Sequence, residues 1–307
     1  MKFQINFIAH TRQENLTRIC EEIYKIDDDL KSQIQINVLN DIFCKKNVID
    51  ELENKFRQSG IVFNNYIQLQ PCYIDKCRIM SESKTDYIIK YDEDIFLTTE
   101  AWNNFLSDAD KIDWNKTACY APLINTGIPS IETFLDYFCD VDTRSYFRML
   151  FEQIKIENMW GANFESLNYS KENPYDFFDQ VNKLTHYYKG IHPLRVSSEI
   201  QNLLVDYVLS NSAWKNPKIK DNLLQSNPAY FCNSAYMMPT SFYKEAYQGM
   251  MSEKYVMDGF DEVGLNQYVS DKNKNFVFNL NSVAVHPSYN TIGIIYNDIS
   301  KKFFSNI

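Results

Sequence analysis

Acidic residues two apart on one side of an extended segment can share a hard divalent cation. Four stretches of this chain offer that spacing: Asp27-Asp28-Asp29, Asp92-Glu93-Asp94, Asp108-Ala109-Asp110 and Asp140-Val141-Asp142. The spacing alone carries little weight, because 40 acidic residues among 307 give on the order of five acidic-x-acidic matches by chance. Context separates the four. Asp27-Asp28-Asp29 follows a helical pattern, Asp108-Ala109-Asp110 lies near a helix end, and Asp140-Val141-Asp142 sits inside an aromatic helical stretch. Only Asp92-Glu93-Asp94 directly follows a strand of buried type, residues 86–91, and precedes a further apolar run, Ile95-Phe96-Leu97. In extended backbone, residues i and i+2 share a side, so Asp92 and Asp94 are expected to face one cation together, with Glu93 turned away. Mg²⁺ or Mn²⁺ held by such oxygens takes phosphate oxygens as further ligands and stabilises a diphosphate as leaving group. The bland alternative is a solvated acidic turn.

The elements that must position this triplet alternate strand and helix. Residues 3–9 read as an apolar strand ending at His10-Thr11-Arg12. Residues 14–26 read as an amphipathic helix with Leu16, Ile19, Cys20, Ile23 and Ile26 on one face. A second strand over 33–39 ends at Asn40-Asp41. A helix over 47–58 stops at Ser59-Gly60. A third strand falls within 61–69, a short helix over 73–83, and a fourth strand over 86–91. This order predicts an α/β fold with a mostly parallel sheet and helices on both faces. Ligands of such sheets bind beyond the carboxyl ends of the strands. His10-Thr11-Arg12, Asn40-Asp41 and Asp92-Glu93-Asp94 all stand at those ends and are expected to converge. Further along, 117–124 reads as a strand, 125–127 as a turn, and about 130–227 as mostly helical, with helical periodicity at 131–156 and 196–210. Residues 229–238 return to strand, 241–250 to helix, 258–270 to an acidic loop entering a helix, and 276–285 to a last strand closed by His286-Pro287.

Composition narrows the partners. The net charge is −9 and the pI about 5.1, with no Lys/Arg block of the kind that neutralises duplex phosphates, so nucleic acid is not an expected partner. Seven cysteines are scattered without metal-ligand spacing, which predicts reduced thiols in a cytoplasmic protein. The amino terminus lacks the pattern of a signal peptide, and no apolar run is long enough to span a bilayer. Peripheral attachment at the inner face of a membrane is the membrane association left open. No polybasic amphipathic helix supports it.

The segment INFIAHTRQENLTRI, the unit YIIKYDEDIFLT and the late acidic stretch 258–266 (Asp-Gly-Phe-Asp-Glu-Val-Gly-Leu-Asn) resemble bacterial GT-A glycosyltransferases. These include the family 2-like enzymes of capsule and lipopolysaccharide synthesis. The resemblance covers residues 1–125 well and 228–290 loosely, and 130–227 matches nothing. It implies a GT-A, Rossmann-like fold with a largely helical insertion, a nucleotide-sugar donor such as a UDP-sugar, and a glycan or glycolipid acceptor. It also implies Mn²⁺ or Mg²⁺ on Asp92 and Asp94, with Asp92 reaching the donor as well. By the same resemblance, His10, Thr11, Arg12 and Asp41 bind the nucleotide base, Arg78 approaches the nucleotide or phosphates, and His286 supplies a further metal ligand. Inverting transfer needs a carboxylate base for the acceptor hydroxyl. The family's late acidic position matches Asp261 or Glu262, then Asp258. The plainer readings are a surface charge for Arg78, a structural histidine for His286, and a helix start decorated with acids for 258–262.

The expected organisation is a nucleotide-sugar-binding half over 1–129, a helical insertion over 130–227, and an acceptor and catalytic half over 228–307 completing the same domain. The insertion holds much of the aromatic excess, including Tyr137, Tyr146, Trp160, Tyr187 and Trp214. Core packing explains most of it, and an acceptor site, a helical cap, an oligomer contact or a membrane-surface patch are the other readings. Two competing functions stay open. A nucleotidyltransferase making an activated sugar usually carries a Gly-rich phosphate loop after its first strand, which HTRQEN lacks. A non-catalytic nucleotide-sugar-binding protein would tolerate Asp261→Asn and Glu262→Gln.

Overall fold

The computed structural model describes residues 1–10, 12–41, 46–69, 73–124, 138–153, 221–226, 234–251, 264–286, 301 and 303–305. The chain divides into two compact units. The first comprises Met1–Pro122, Ile219–Pro228 and Asn233–Ala284, and the second Leu123–Lys218, Ala229–Cys232 and Val285–Ile307.

The amino-terminal half alternates as the periodicity predicts: β1 (Phe3–Ala9), α1 (Gln13–Tyr24), α2 (Asp28–Lys31), β2 (Ile34–Asp41), α3 (Lys46–Gln58), β3 (Val62–Leu69), α4 (Tyr73–Ser81) and β4 (Tyr87–Asp92). Then come α5 (Thr99–Ser107), a 3-10 turn (Asp108–Lys111), β5 (Thr117–Ile124), α6 (Val141–Gln153), β6 (Leu223–Ser226), β7 (Ala235–Pro239), α7 (Thr240–Met250), α8 (Leu265–Asp271) and β8 (Asn275–Ala284). The eight strands form one sheet in the order β3-β2-β1-β4-β7-β5-β8-β6. Strands β1 to β4 are parallel, and β7 runs against both β4 and β5, so β5 points the same way as the first four. At the far edge β6 pairs antiparallel with β8. The sheet is therefore mixed: β1 to β5 share one direction, β7 runs against them, and β6 and β8 oppose each other. Strand β6 lies within the stretch read as mostly helical. Four residues are too short to show a period, and pairing with β8 decides their conformation. The expected turn at 125–127 and helical stretch at 196–210 lie outside the described residues.

One face of the parallel part is apolar. Phe3, Ile5 and Phe7 of β1, Ile36 and Val38 of β2 and Phe63 of β3 are buried, as are Leu16, Ile19, Cys20 and Ile23 of α1. Phe56 of α3 stacks on Phe63 with ring centroids 5.8 Å apart. Gly60, at φ +76°, lets the chain leave α3 in a left-handed turn, in which Ile61 N–H reaches back to Phe56 O at 3.1 Å. Helix α5 begins at Thr98, whose hydroxyl accepts from Ala101 N–H at 3.2 Å. It lays Trp102 on Tyr91 of β4 at 4.9 Å.

The opposite face carries a row of amides. Asn6, Asn37 and Asn64 are in register across β1, β2 and β3, and Lys90 of β4 is level with Asn6. Asn64 Nδ2 donates to Asn37 Oδ1 at 2.9 Å, and Asn37 Nδ2 donates to Asn6 Oδ1 at 3.1 Å. Asn6 Nδ2 donates to the Ile89 carbonyl at 3.2 Å. One row down, Gln35 Nε2 and Ser83 Oγ donate to Gln4 Oε1 at 2.6 and 2.8 Å. Buried amides are stable only when so satisfied. A second buried network joins Asp108, Asn279 and Tyr120. Asn279 Nδ2 approaches Asp108 Oδ2 at 3.0 Å and the Tyr120 hydroxyl at 2.6 Å, and Asn279 Oδ1 accepts from Asn281 N–H at 2.8 Å.

Candidate functional site

Strand register brings the candidate residues level. Ile8 of β1 is opposite Asp92 of β4, and Ala9 is opposite Asn40 of β2. His10, exposed, thus leaves the sheet between the ends of β2 and β4. Asp41 closes β2 opposite Leu69 of β3, after an irregularity between Leu39 and Asp41. The expected convergence of the first-strand loop, Asn40-Asp41 and the acidic triplet is therefore present in the backbone.

The triplet's conformation differs from expectation. Asp92 ends β4, while Glu93 and Asp94 form a turn, closed by Ile95 N–H on Asp92 O at 3.2 Å and by the Tyr91 hydroxyl on Ile95 O at 2.8 Å. Two backbone bonds set the start of this turn: Asp92 N–H to Ser234 O at 2.8 Å and Glu93 N–H to Ile8 O at 3.3 Å. Glu93 is no bystander. It is 5% exposed, and its Oε1 accepts the backbone N–H of Arg12 at 3.0 Å, which fixes the loop after β1. The Arg12 guanidinium forms an ion pair with Asp94 Oδ2. Lys90, buried in β4, sets its ammonium 2.8 Å from Asp92 Oδ1 and 2.9 Å from Oδ2. Each aspartate of the pair thus meets a basic side chain of the same unit.

Lys90 is not among the residues that the sequence singles out, and Asn40 is there only as part of the Asn40-Asp41 strand end. The signal for Lys90 was a lone lysine inside an otherwise apolar strand, two residues before Asp92 and hence on its side of the sheet. Asn40 donates to Asn65 Oδ1. Its own Oδ1 is buried at the carboxyl end of β2 with no hydrogen-bond partner among the described residues, an acceptor beside the position expected to read the base.

The remaining candidates fall as follows. Arg78 lies on the exposed side of α4 and pairs with Glu82 at 2.9 Å, one helical turn on. His286 is buried just after β8 and belongs to the second unit, whereas Asp92 and Asp94 belong to the first. Thr11, Asp258, Asp261 and Glu262 lie outside the described residues. Among the described residues, no group of three or more His, Cys, Asp or Glu side chains is placed to hold a metal ion. Two carboxylates nevertheless suit Mg²⁺ or Mn²⁺ in donor type and number, because such ions commonly take one or two carboxylates and complete their shell with phosphate and water oxygens. Among the described residues, no helix is long and apolar enough to cross a membrane.

No family model matches the chain, and no curated protein does. Solved structures do. The crystal structure of GalNAc-T7 with UDP, GalNAc and Mn²⁺ is matched at 11% identity and a TM-score of 0.50, over 94% of this chain and 45% of that one. The mannosyltransferase PcManGT from Pyrobaculum calidifontis, in complex with GDP-Man and Mn²⁺, is matched at 8% identity and a TM-score of 0.47, over 93% of this chain and 56% of that one. The chain spans about half the length of these structures. The likeness to the first, together with the strand order, defines the fold as α/β of the GT-A type.

Proposed function

We propose that this chain is a metal-dependent glycosyltransferase. It moves a sugar from a nucleoside-diphosphate donor, a UDP-sugar in the first instance, to a hydroxyl of a glycan or glycolipid acceptor. The reaction proceeds with inversion, in the synthesis of a bacterial surface polysaccharide. The observation that carries this reading is the register that sets Ala9-His10, Asn40-Asp41 and Asp92 side by side at the carboxyl edge of the parallel strands, with Asp94 on the turn beyond. Ligands of such sheets bind at that edge. The GT-A likeness to a structure holding UDP and Mn²⁺ supports the donor class.

In this reading Asp92 and Asp94 would hold Mn²⁺ or Mg²⁺, and the ion would supply charge neutralisation for the departing diphosphate. His10, Thr11, Asn40 and Asp41 receive the nucleoside. Arg12 and Arg78 serve the donor as basic groups. Asp261 takes the proton from the acceptor hydroxyl, with Glu262 and then Asp258 as the other carboxylates suited to that step.

Calorimetry of UDP-, GDP- and CMP-sugars tests it, each run with Mn²⁺, with EDTA, and with the variant Asp92→Ala/Asp94→Ala. Metal-dependent binding of one donor class, lost in the variant, is the expected result. Absence of binding to every nucleotide, with the variant unchanged, would refute it. Donor hydrolysis that is lost in Asp261→Asn or Glu262→Gln while binding persists would mark the base.

A further inference from the structure

The two aspartates differ in how they are neutralised. Lys90, on Asp92, has a side chain 3% exposed in the middle of a strand. Arg12, on Asp94, has a side chain 33% exposed at the mouth of the first-strand loop. The main chain of Arg12 is held on both sides. Its N–H bonds Glu93, and its carbonyl accepts the N–H groups of Asn15 and Leu16 that begin α1. The guanidinium is therefore the movable part of a fixed residue, and Lys90 is the fixed cation.

We propose that Arg12 is an exchangeable counter-ion. In the metal-free chain it occupies Asp94. When a divalent cation takes that carboxylate, the guanidinium is repelled from it and moves to the phosphates of the arriving nucleoside diphosphate. The chemistry favours this on two counts. Like charges sharing one carboxylate oppose each other strongly in a partly buried site, and a guanidinium pairs with phosphate oxygens as well as with carboxylate. Lys90, fixed by burial, stays beside Asp92 and lowers its net charge, so the cation leans on Asp94, and Asp94 is the aspartate that changes partners. The proposal rests on the donor reading above and goes beyond it, because it assigns Arg12 to the phosphates through its present hold on Asp94.

The test measures Mn²⁺ alone, by the loss of the free-ion electron paramagnetic resonance signal, and UDP and GDP by calorimetry. Removing the competitor in Arg12→Gln should tighten Mn²⁺ binding about tenfold without nucleotide, and weaken nucleotide binding at saturating Mn²⁺ about tenfold. Arg12→Lys keeps the charge and should keep the wild-type Mn²⁺ affinity while restoring part of the nucleotide affinity. Asp94→Asn releases the guanidinium by another route, so it should bind nucleotide in EDTA several-fold more tightly than wild type. A purely structural ion pair gives weaker binding of every ligand in both Arg12→Gln and Asp94→Asn, and that result overturns the exchange. Should wild type bind neither Mn²⁺ nor either nucleotide, the donor reading itself fails and the exchange with it. Should wild type bind both while the variants lack the opposed shifts, only the exchange fails.

Discussion

Lys90→Met is the most informative single change in the parallel sheet. Methionine nearly matches the lysine stem in length and removes only the ammonium. The Asp92 carboxylate, 2.8 Å from that ammonium, then loses this ion pair. Removing one partner of a buried pair costs about 3–5 kcal/mol, because the other charge stays behind without compensation. Lys90 meets the condition of burial, but the Asp92 side chain is 17% exposed, so water offsets part of the loss and about 2–3 kcal/mol is the reasoned figure. For a chain of this length that corresponds to a fall in Tm of about 4–8 °C. Thermal unfolding followed by circular dichroism at one scan rate measures it. Asp92→Asn should cost a similar amount, since it removes the same ion pair from the side of the ammonium. The double variant should lose less than the sum of the two, since no charge is then left behind. Strict additivity, or a Lys90→Met protein as stable as wild type, would refute the claim that this pair compensates Asp92.

Three other outcomes are expected. Asn279→Leu removes the amide that serves Tyr120, Asp108 and Asn281 N–H; at about 1–3 kcal/mol per stranded buried group, it should lower Tm more than any exposed Asn→Leu control. Gly249→Ala places a methyl against the ring edge of Tyr268, so α7 and α8 must part; a cost of about 1–3 kcal/mol is expected, visible in the same melts. Hydrogen bonds from Lys272 and Tyr268 hold the Glu245 carboxyl below its ordinary value of 4.5. Glu245 therefore adds stability that is fully present above pH 4.5 and fades as pH falls through the lower folded value. Because the group is exposed the effect is under about 1 kcal/mol, and Glu245→Gln should flatten the acid limb of a Tm–pH profile by that amount.

Much of the architecture was legible because its periods are strong. The buried face of α1 is the one that the spacing of Leu16, Ile19, Cys20 and Ile23 marks out, and β1, β2 and β4 lie within a residue or two of where alternation and apolar runs place them. The helix end beside Asp108 is that of α5, whose start and buried face are marked by Thr98 and by the spacing of Ala101, Trp102, Phe105 and Leu106. The site was legible as a place and not as a set of contacts. The backbone bond from Arg12 to Glu93 and the ion pair from Arg12 to Asp94 span 81 and 82 residues of sequence, and no local pattern encodes which carboxylate meets which cation. Asp92-Glu93-Asp94 stayed open between extended backbone and a solvated turn, because its shape depends on Ser234 and Ile8. The clue most easily passed over was asparagine in the middle of three strands, a residue depleted there unless something specific holds it.

Those asparagines give the sheet a key that only one alignment turns. Apolar faces tolerate sliding by two residues, since a slip of that size returns every side chain to its own face. The amides do not. Moving β2 so that Asn6 met Leu39 instead of Asn37 would break the bond between the two asparagines and set the Asn6 carboxamide opposite an aliphatic side chain. The row therefore excludes near-miss pairings that hydrophobic burial alone would accept, and it does so several residues from the strand ends. Because β1, β2 and β4 are locked there, Ala9, Asn40 and Asp92 finish level with one another. The chemistry at the rim is thus aligned by a polar lock in the interior.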